Sequence, residues 1–100
     1  MTKYIAFDDD GYKWAVKAEV VADNRAKYYA DKDKDTTYQA EFDAAMSDDD
    51  ELIDWMVNNM NFADFGGKLF IYMKPEEPDE PDHVNADYDI LEIDGELARA

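Results

Sequence analysis

The most constraining feature of this chain is the uneven distribution of its charge. Residues 1–34 hold seven acidic and seven basic side chains, whereas residues 35–100 hold nineteen acidic side chains and only three basic ones, Lys68, Lys74 and Arg99. The net charge of −16 therefore comes entirely from the last two thirds of the chain. Repulsion of this size destabilises a compact fold, and solubility needs a net charge of only about 2 to 8 in a small domain. The excess predicts a surface that binds a basic partner.

The apolar content is nevertheless that of a folded protein. Hydrophobic residues make up 46% of the chain and aromatic residues 14%, which is too much for a chain that is disordered because of its charge. One hundred residues is a common domain size, so we expect residues 1–100 to form a single domain. The absence of cysteine, of a signal peptide and of an apolar run near the roughly 18 residues that span a bilayer predicts a cytoplasmic protein.

The first third of the chain predicts a β-hairpin followed by a helix. Residues 3–7 and 12–18 are rich in β-forming side chains and flank an Asp-Gly pair, which is typical of a hairpin turn. Residues 19–31 have helical spacing, with small and apolar side chains on one face and charged ones, including Arg25, largely off it.

Two further helices are predicted between residues 36 and 60. Thr36 followed by Gln39 fits a capping box at the start of the first. Ser47 is expected to cap the second, with three aspartates in the first turn where the helix dipole favours anions. Leu52 and Trp55 belong to the apolar stripe of this last helix.

The C-terminal third predicts two strands joined by an acidic loop. Residues 68–74 are apolar on both faces, so this strand should be central or covered on both sides. Residues 86–94 alternate until Leu91, where a slip suggests a β-bulge. We therefore expect an α+β fold, with an antiparallel sheet of three or four strands and about three helices packed on one face. The residues expected to dominate the core are Trp14, Val21, Tyr29, Phe42, Met46, Leu52, Trp55, Met56, Leu69 and Ile71.

Catalytic and cofactor-binding patterns are missing. The chain has one histidine, His83, one serine, Ser47, and no cysteine, so no nucleophile has an evident base. Gly66 and Gly67 lack the pattern of a phosphate-binding loop. We expect that the protein is not an enzyme and uses no cofactor.

One segment resembles the beginning of a calcium-binding loop. Asp31, Asp33 and Asp35 alternate as the first three ligands of an EF-hand do. The sixth and twelfth positions hold Thr36 and Phe42 in place of the glycine and glutamate that the loop requires. No dedicated metal site is predicted.

The acidic side chains have a spacing that suits imitation of nucleic acid. Carboxylates four residues apart on a helix are separated by about 6 Å along the axis, and those two apart on a strand by about 6.6 Å. Both values are comparable to the spacing of successive phosphates, and arginine binds carboxylate and phosphate with the same bidentate geometry. The candidate partner-binding residues are Glu76, Glu77, Asp79, Glu80 and Asp82 in the loop, Asp87, Asp89, Glu92 and Asp94 on the last strand, and Asp43, Asp50 and Asp54 on the helices.

The position of these residues suggests which set matters most. A loop must be ordered when it binds, whereas a strand holds its side chains on a fixed lattice, so we expect the strand set to contribute more than the loop set. Nucleic acid phosphates and anionic lipids would both repel such a surface. Direct binding to nucleic acid or membrane is therefore not expected.

With about 100 residues, no cysteine, no catalytic set and this acidic excess, the chain resembles the small acidic proteins that bacteriophages encode against host defence, including the DNA-mimic anti-CRISPR proteins. Residues 54–62, with the sequence DWMVNNMNF, are similar to a stretch of short uncharacterised phage proteins. The resemblance implies a stoichiometric inhibitor, in the host cytoplasm, of a nucleic-acid-binding CRISPR complex or nuclease. An acidic adaptor without mimicry and a carboxylate-rich binder of divalent metal remain as alternatives.

Overall fold

A computed structural model describes residues 1–9, 11–73 and 88–100 of this chain. In chain order the elements are β1 (Thr2–Asp9), β2 (Tyr12–Lys17), α1 (Ala18–Lys32), α2 (Tyr38–Met46), α3 (Asp49–Asn59), a 3₁₀ helix (Phe62–Phe65), β3 (Phe70–Met73) and β4 (Tyr88–Ile93). The predicted α+β class, with a four-stranded antiparallel sheet and three α-helices, is confirmed. The chain divides into two compact units, a sheet unit of residues 1–17 and 68–100 and a helical unit of residues 18–67.

The strands of the sheet unit run in the order β3-β2-β1-β4, and every neighbouring pair is antiparallel. The predicted hairpin joins β1 to β2, with Asp9 opposite Tyr12 and Gly11 at a φ of 80°, which glycine adopts without strain. β3 lies at an edge of the sheet, so a central position, the first of the two alternatives that its apolar faces suggested, is wrong. The backbone N–H of Ala100 donates to the carbonyl of Ile71 at 2.8 Å, so the C-terminus pairs with this edge.

One face of the sheet carries a compact core. Tyr4, Ala6, Ala15 and Phe70 are buried there, and the partly buried side chains packed against them are Tyr72, Leu91, Ile93 and Leu97. Strand register explains the grouping, because Ala6 lies opposite Ala15, which in turn lies opposite Phe70, and directly paired residues point to the same face.

The C-terminal segment, residues 94–100, folds back on this unit. The Leu97 N–H donates to the Tyr4 hydroxyl at 3.0 Å, and the Arg99 guanidinium lies 4.6 Å above the centre of the Phe70 ring. Lys17 Nζ donates to Glu96 at 2.6 Å, and this hydrogen bond lowers the pKa of the Glu96 carboxyl. Sequence patterns did not predict this segment, because each of its partners is distant along the chain.

The helical unit is organised around the apolar faces of α1 and α3. The buried face of α1 is formed by Ala18, Val21 and Ala22, as the spacing predicted, together with Ala26. Leu52, Trp55 and Met56 form the buried face of α3, also as predicted. The rings of Tyr28 and Tyr29 lie 5.3 and 5.5 Å from that of Trp55. None of the helices in the described part of the chain is both long enough and apolar enough to span a bilayer.

The predicted helix caps were each wrong by one residue. Thr37, and not Thr36, is the N-cap of α2, and its hydroxyl accepts from the Ala40 N–H at 3.1 Å. Asp48, and not Ser47, is the N-cap of α3, and its carboxylate accepts from the Glu51 N–H at 3.2 Å. A carboxylate is the stronger acceptor at a helix N-terminus, because it also interacts favourably with the helix dipole.

The predicted core was partly correct. Val21, Leu52, Trp55 and Met56 are buried, whereas Trp14, Tyr29, Phe42, Met46, Leu69 and Ile71 are half-buried. The prediction missed Ile5 and Val16, which lie opposite each other on the two central strands and are fully buried. Central strands are covered more completely than an edge strand, and strand order could not be read from the sequence.

Candidate protein-binding surface

The largest predicted acidic segment lies outside the described residues. Its residues Glu76, Glu77, Asp79, Glu80 and Asp82 are therefore not described, and neither is Asp87 of the predicted last strand, so their placement remains a prediction. The residues that flank it are Met73, opposite Lys13, and Tyr88, opposite Phe7. Both lie at the hairpin end of the sheet, where Asp8 and Asp9 are exposed.

The acidic residues of β4 do not form a single row. The predicted bulge at Leu91 is wrong, because β4 pairs with β1 in unbroken register from Thr2–Ile93 to Phe7–Tyr88. Successive side chains of a strand point to opposite faces, so Asp89 and Glu92 lie on different faces. The irregularity in this sheet lies between Lys13 and Trp14.

Several carboxylates of the sheet unit have a cation nearby. Lys13 Nζ donates to Asp8 at 2.9 Å, which raises the pKa of Lys13, and the charge of Asp89 adds to this effect. Lys3 Nζ lies 3.9 Å from Glu92. Asp94 is exposed directly after the strand. β4 therefore offers carboxylates singly, in contrast to the fixed row that the sequence suggested.

Arg25 organises the carboxylates of the helical unit. From α1 its Nε donates to Glu51 of α3 at 3.0 Å, and its Nη1 donates to the side chain and the carbonyl of Glu41 of α2 at 3.2 and 3.3 Å. The Arg25 side chain is only 14% exposed. This guanidinium pairs with two partly buried glutamates, whose two negative charges it offsets by one, and it connects all three helices.

Tyr38 makes a second link between α1 and α2. Its hydroxyl donates to Asp23 Oδ1 at 2.6 Å, and Lys27 Nζ lies 3.0 Å from the other oxygen of that carboxylate. The hydrogen bond to Asp23 raises the pKa of Tyr38 to about 12.

The remaining helical carboxylates point to solvent. We call Asp43, Asp48, Asp50 and Asp54, all exposed, the acidic helix surface. Asp50 and Asp54 lie one turn apart on the face of α3 opposite its buried stripe, about 6 Å from each other along the axis. Gln39 Nε2 donates to Asp43 at 2.9 Å and Asn58 Nδ2 donates to Asp54 at 2.8 Å, so neutral amides hold both carboxylates in place.

The sequence around this surface contains no compensating cation. Residues 35–67 include neither lysine nor arginine, and the helical unit as a whole has thirteen acidic and four basic side chains, a net charge of −9. Of those four cations, Arg25 and Lys27 already have carboxylate partners. A basic molecule that approaches α2 and α3 therefore meets ordered carboxylates without competing positive charge.

The structure gives Asp33, the middle one of the EF-hand-like aspartates, a local role. Asp33 Oδ1 accepts from the backbone N–H of Asp35 at 2.9 Å, and the Asp33 carbonyl accepts from that of Thr36 at 3.4 Å, so the segment forms a turn between α1 and α2. In residues 1–9, 11–73 and 88–100, no three acidic or histidine side chains are grouped as metal ligands would be.

Comparisons with known proteins add no family. The chain matches no protein-family model, no curated protein and no solved structure.

Proposed function

We propose that this protein is an acidic inhibitor that binds the basic nucleic-acid-binding site of a host defence complex, a CRISPR effector or a nuclease, as a nucleic acid mimic. The observation that carries the proposal is the acidic helix surface. Its four carboxylates are exposed, three of them on α2 and α3 and Asp48 at the N-cap of α3, and no lysine or arginine occurs between residues 35 and 67.

The inhibitor would act by occupying the nucleic-acid-binding site of the target, without catalysing a reaction. Arginine and lysine side chains that normally bind phosphates would donate charge-assisted hydrogen bonds to Asp50 and Asp54. The long-range field of a chain with a net charge of −16 would speed association with a positive cleft. The inhibitor and the nucleic acid would bind the same arginine and lysine side chains of the target, so the bound inhibitor excludes DNA or RNA.

Preorganisation by α1 supports this assignment. Arg25 fixes α2 and α3 through Glu41 and Glu51. Little side-chain and backbone order then has to be gained when the complex forms, which favours binding. The carboxylates of β4 are not preorganised in one row, since Asp89 and Glu92 lie on opposite faces of the sheet. We therefore place the principal contact on the helices, in place of the strand.

Competition tests the proposal. A panel of purified CRISPR effectors with guide RNA, together with defence nucleases, is titrated with the protein while binding of target DNA is measured. Mimicry predicts that the apparent affinity for DNA falls with inhibitor concentration in at least one case. Binding without displacement of nucleic acid would indicate an adaptor, and no binding to any member would contradict the proposal.

Salt dependence and a matched pair of variants locate the contact. Between about 50 and 200 mM salt the affinity should fall steeply, and a change of less than about threefold would contradict electrostatic binding. One variant replaces the acidic helix surface with Asn at Asp43, Asp48, Asp50 and Asp54. The control removes four charges from another part of the helical unit through Glu19→Gln, Asp31→Asn, Asp33→Asn and Asp35→Asn. We expect at least a tenfold larger loss from the first variant, whereas equal losses would mean that only net charge matters.

A further inference from the structure

The outer face of α3 does not remain acidic along its length. Asp50, Asp54 and Val57 occur at positions i, i+4 and i+7, so they lie along one face of the helix. Leu52, Trp55 and Met56 occupy the opposite, buried face. Val57 is 50% exposed, so an apolar side chain continues the line of the two carboxylates.

A second exposed apolar side chain follows α3 in the chain, after the two extended residues Met60 and Asn61. Phe62 begins the 3₁₀ helix and is 71% exposed, more than any other aromatic side chain in the described residues. The turn that carries Phe62 is held by a capping box. Asn61 Oδ1 accepts from the Asp64 N–H at 3.2 Å, Asp64 Oδ2 accepts from the Asn61 N–H at 2.9 Å, and Phe65 of the same turn is buried.

Charge determines what can cover these two side chains. Asp54 and Asp64 flank them in the sequence, and the nearest lysine or arginine on the C-terminal side is Lys68. A second copy of this chain would bring like charges together. A basic surface with an apolar recess complements both features, since binding sites commonly combine a buried aromatic anchor with a polar rim.

We infer that Val57 and Phe62 form an apolar anchor beside Asp50 and Asp54, and that the partner presents an apolar recess bordered by its basic site. The inference rests on the proposed function, since the anchor extends the same surface. It predicts a complex with two separable contributions. The carboxylates supply the salt-dependent part, and the anchor supplies a part that releases few counterions.

Two peptide probes test the anchor without knowledge of the defence target. Both are labelled helical peptides with the same number of lysines; one has leucine along its other face and the second has serine there. We expect the protein to bind the leucine peptide at least about tenfold more tightly. The double variant Val57→Ser/Phe62→Ser should lose this preference and bind the serine peptide as before. A preference retained by the double variant would overturn the inference.

Controls separate loss of the anchor from loss of the fold. Tyr12→Thr removes an exposed aromatic from the sheet unit and should leave the preference intact. Phe62→Leu keeps an apolar side chain and should retain most of it. Unfolding midpoints in urea show whether the double variant is still folded, and if it is not, Phe62→Leu is compared with Phe62→Gln.

The defence complex provides the second arm. With a target identified by competition, Phe62→Gln should lower affinity about tenfold and leave the slope of log affinity against log salt unchanged. Asp50→Asn/Asp54→Asn should reduce that slope. An unchanged affinity for Phe62→Gln would overturn the anchor while the mimic stands. If the protein displaces no nucleic acid but still prefers the leucine peptide, the proposed function is contradicted and the anchor stands.

Discussion

At the scale of single residues, Arg25 is a side chain that links all three helices of the helical unit. It provides a charged partner for Glu41 and for Glu51, in a place where all three side chains are partly withdrawn from solvent. Sequence analysis placed Arg25 off the apolar face of its helix. Its stem and guanidinium are covered because a long side chain can reach partners on neighbouring helices from such a position.

Replacement of Arg25 with Met should destabilise the protein by about 2 kcal/mol, because two half-buried carboxylates lose their hydrogen-bonded cation. The matched control is Lys27→Met. Lys27 is 71% exposed and pairs with Asp23, and such surface pairs contribute about 0 to 1 kcal/mol. Urea unfolding measures both free energies. Equal effects of the two variants would mean that the Arg25 network is as weak as a surface pair.

The Tyr38 hydroxyl should lose its proton at a higher pH than an ordinary tyrosine. Its pKa is raised from 10.0 to about 12 by the hydrogen bond to Asp23, so the stabilisation it provides is complete below pH 10 and is lost as pH rises through about 12. The difference in ultraviolet absorbance between the protein and its Tyr38→Phe variant reports this titration. Asp23→Asn should move it down toward 10.0, and a midpoint near 10.0 in the unmodified protein would show that the hydrogen bond does not form in solution.

At the scale of elements, α3 has one face that packs in the helical unit and an opposite face that is exposed to solvent. Leu52, Trp55 and Met56 fix it to the helical unit, while Asp50, Asp54 and Val57 point outward. The acidic first turn is compatible with a stable helix, since carboxylates near a helix N-terminus interact favourably with the dipole. The same carboxylates can therefore belong to the helix cap and to a binding surface.

The cap of α3 can be tested by substitution. Asp48→Ala should lower the free energy of unfolding by about 1 kcal/mol, since the Glu51 N–H loses its acceptor. Ser47→Ala is the control and should have a smaller effect, because its hydroxyl donates only to the Ala44 carbonyl at 3.0 Å on the exposed surface. Thermal unfolding of the two variants compares them. A larger loss of stability from Ser47→Ala would indicate that Ser47 is the N-cap of α3, as the sequence suggested.

At the scale of the whole molecule, negative charge is the dominant property. A net charge of −16 opposes folding through self-repulsion, and the ion pairs at Lys13, Lys17 and Arg25 offset only part of it. Most of the acidic side chains in the described residues are exposed, so dissolved salt can screen them.

The free energy of unfolding should therefore rise with salt. Between about 0.01 and 0.15 M the Debye length falls from about 30 to about 8 Å, which weakens repulsion between distant carboxylates more than it weakens close pairs. Urea unfolding midpoints measured across this range, in chloride of a monovalent cation, should increase. A decrease would show that attractive ion pairs outweigh the repulsion.

The sequence by itself determined the class of the fold and the position of its helices and strands. The hairpin, the apolar stripes of α1 and α3, and the absence of lysine and arginine between residues 35 and 67 all follow from near neighbours along the chain. Three of the candidate carboxylates, Asp43, Asp50 and Asp54, could likewise be placed on exposed helix positions. Helical period and cap chemistry are local properties, so local patterns are enough to predict them to within a residue or two.

Only the tertiary structure decided which distant residues meet. It paired Arg25 with Glu41 and Glu51, placed β3 at an edge, brought residues 94–100 back to Tyr4 and Phe70, and gave β4 a register that separates Asp89 from Glu92. Successive side chains of a strand point to opposite faces of the sheet. A bulge shifts this alternation by one residue, so its presence or absence decides on which face all the following side chains lie. Strand register and long-range ion pairs depend on the packing of segments far apart in the chain, and that packing separated the acidic residues paired inside the fold from those exposed to solvent.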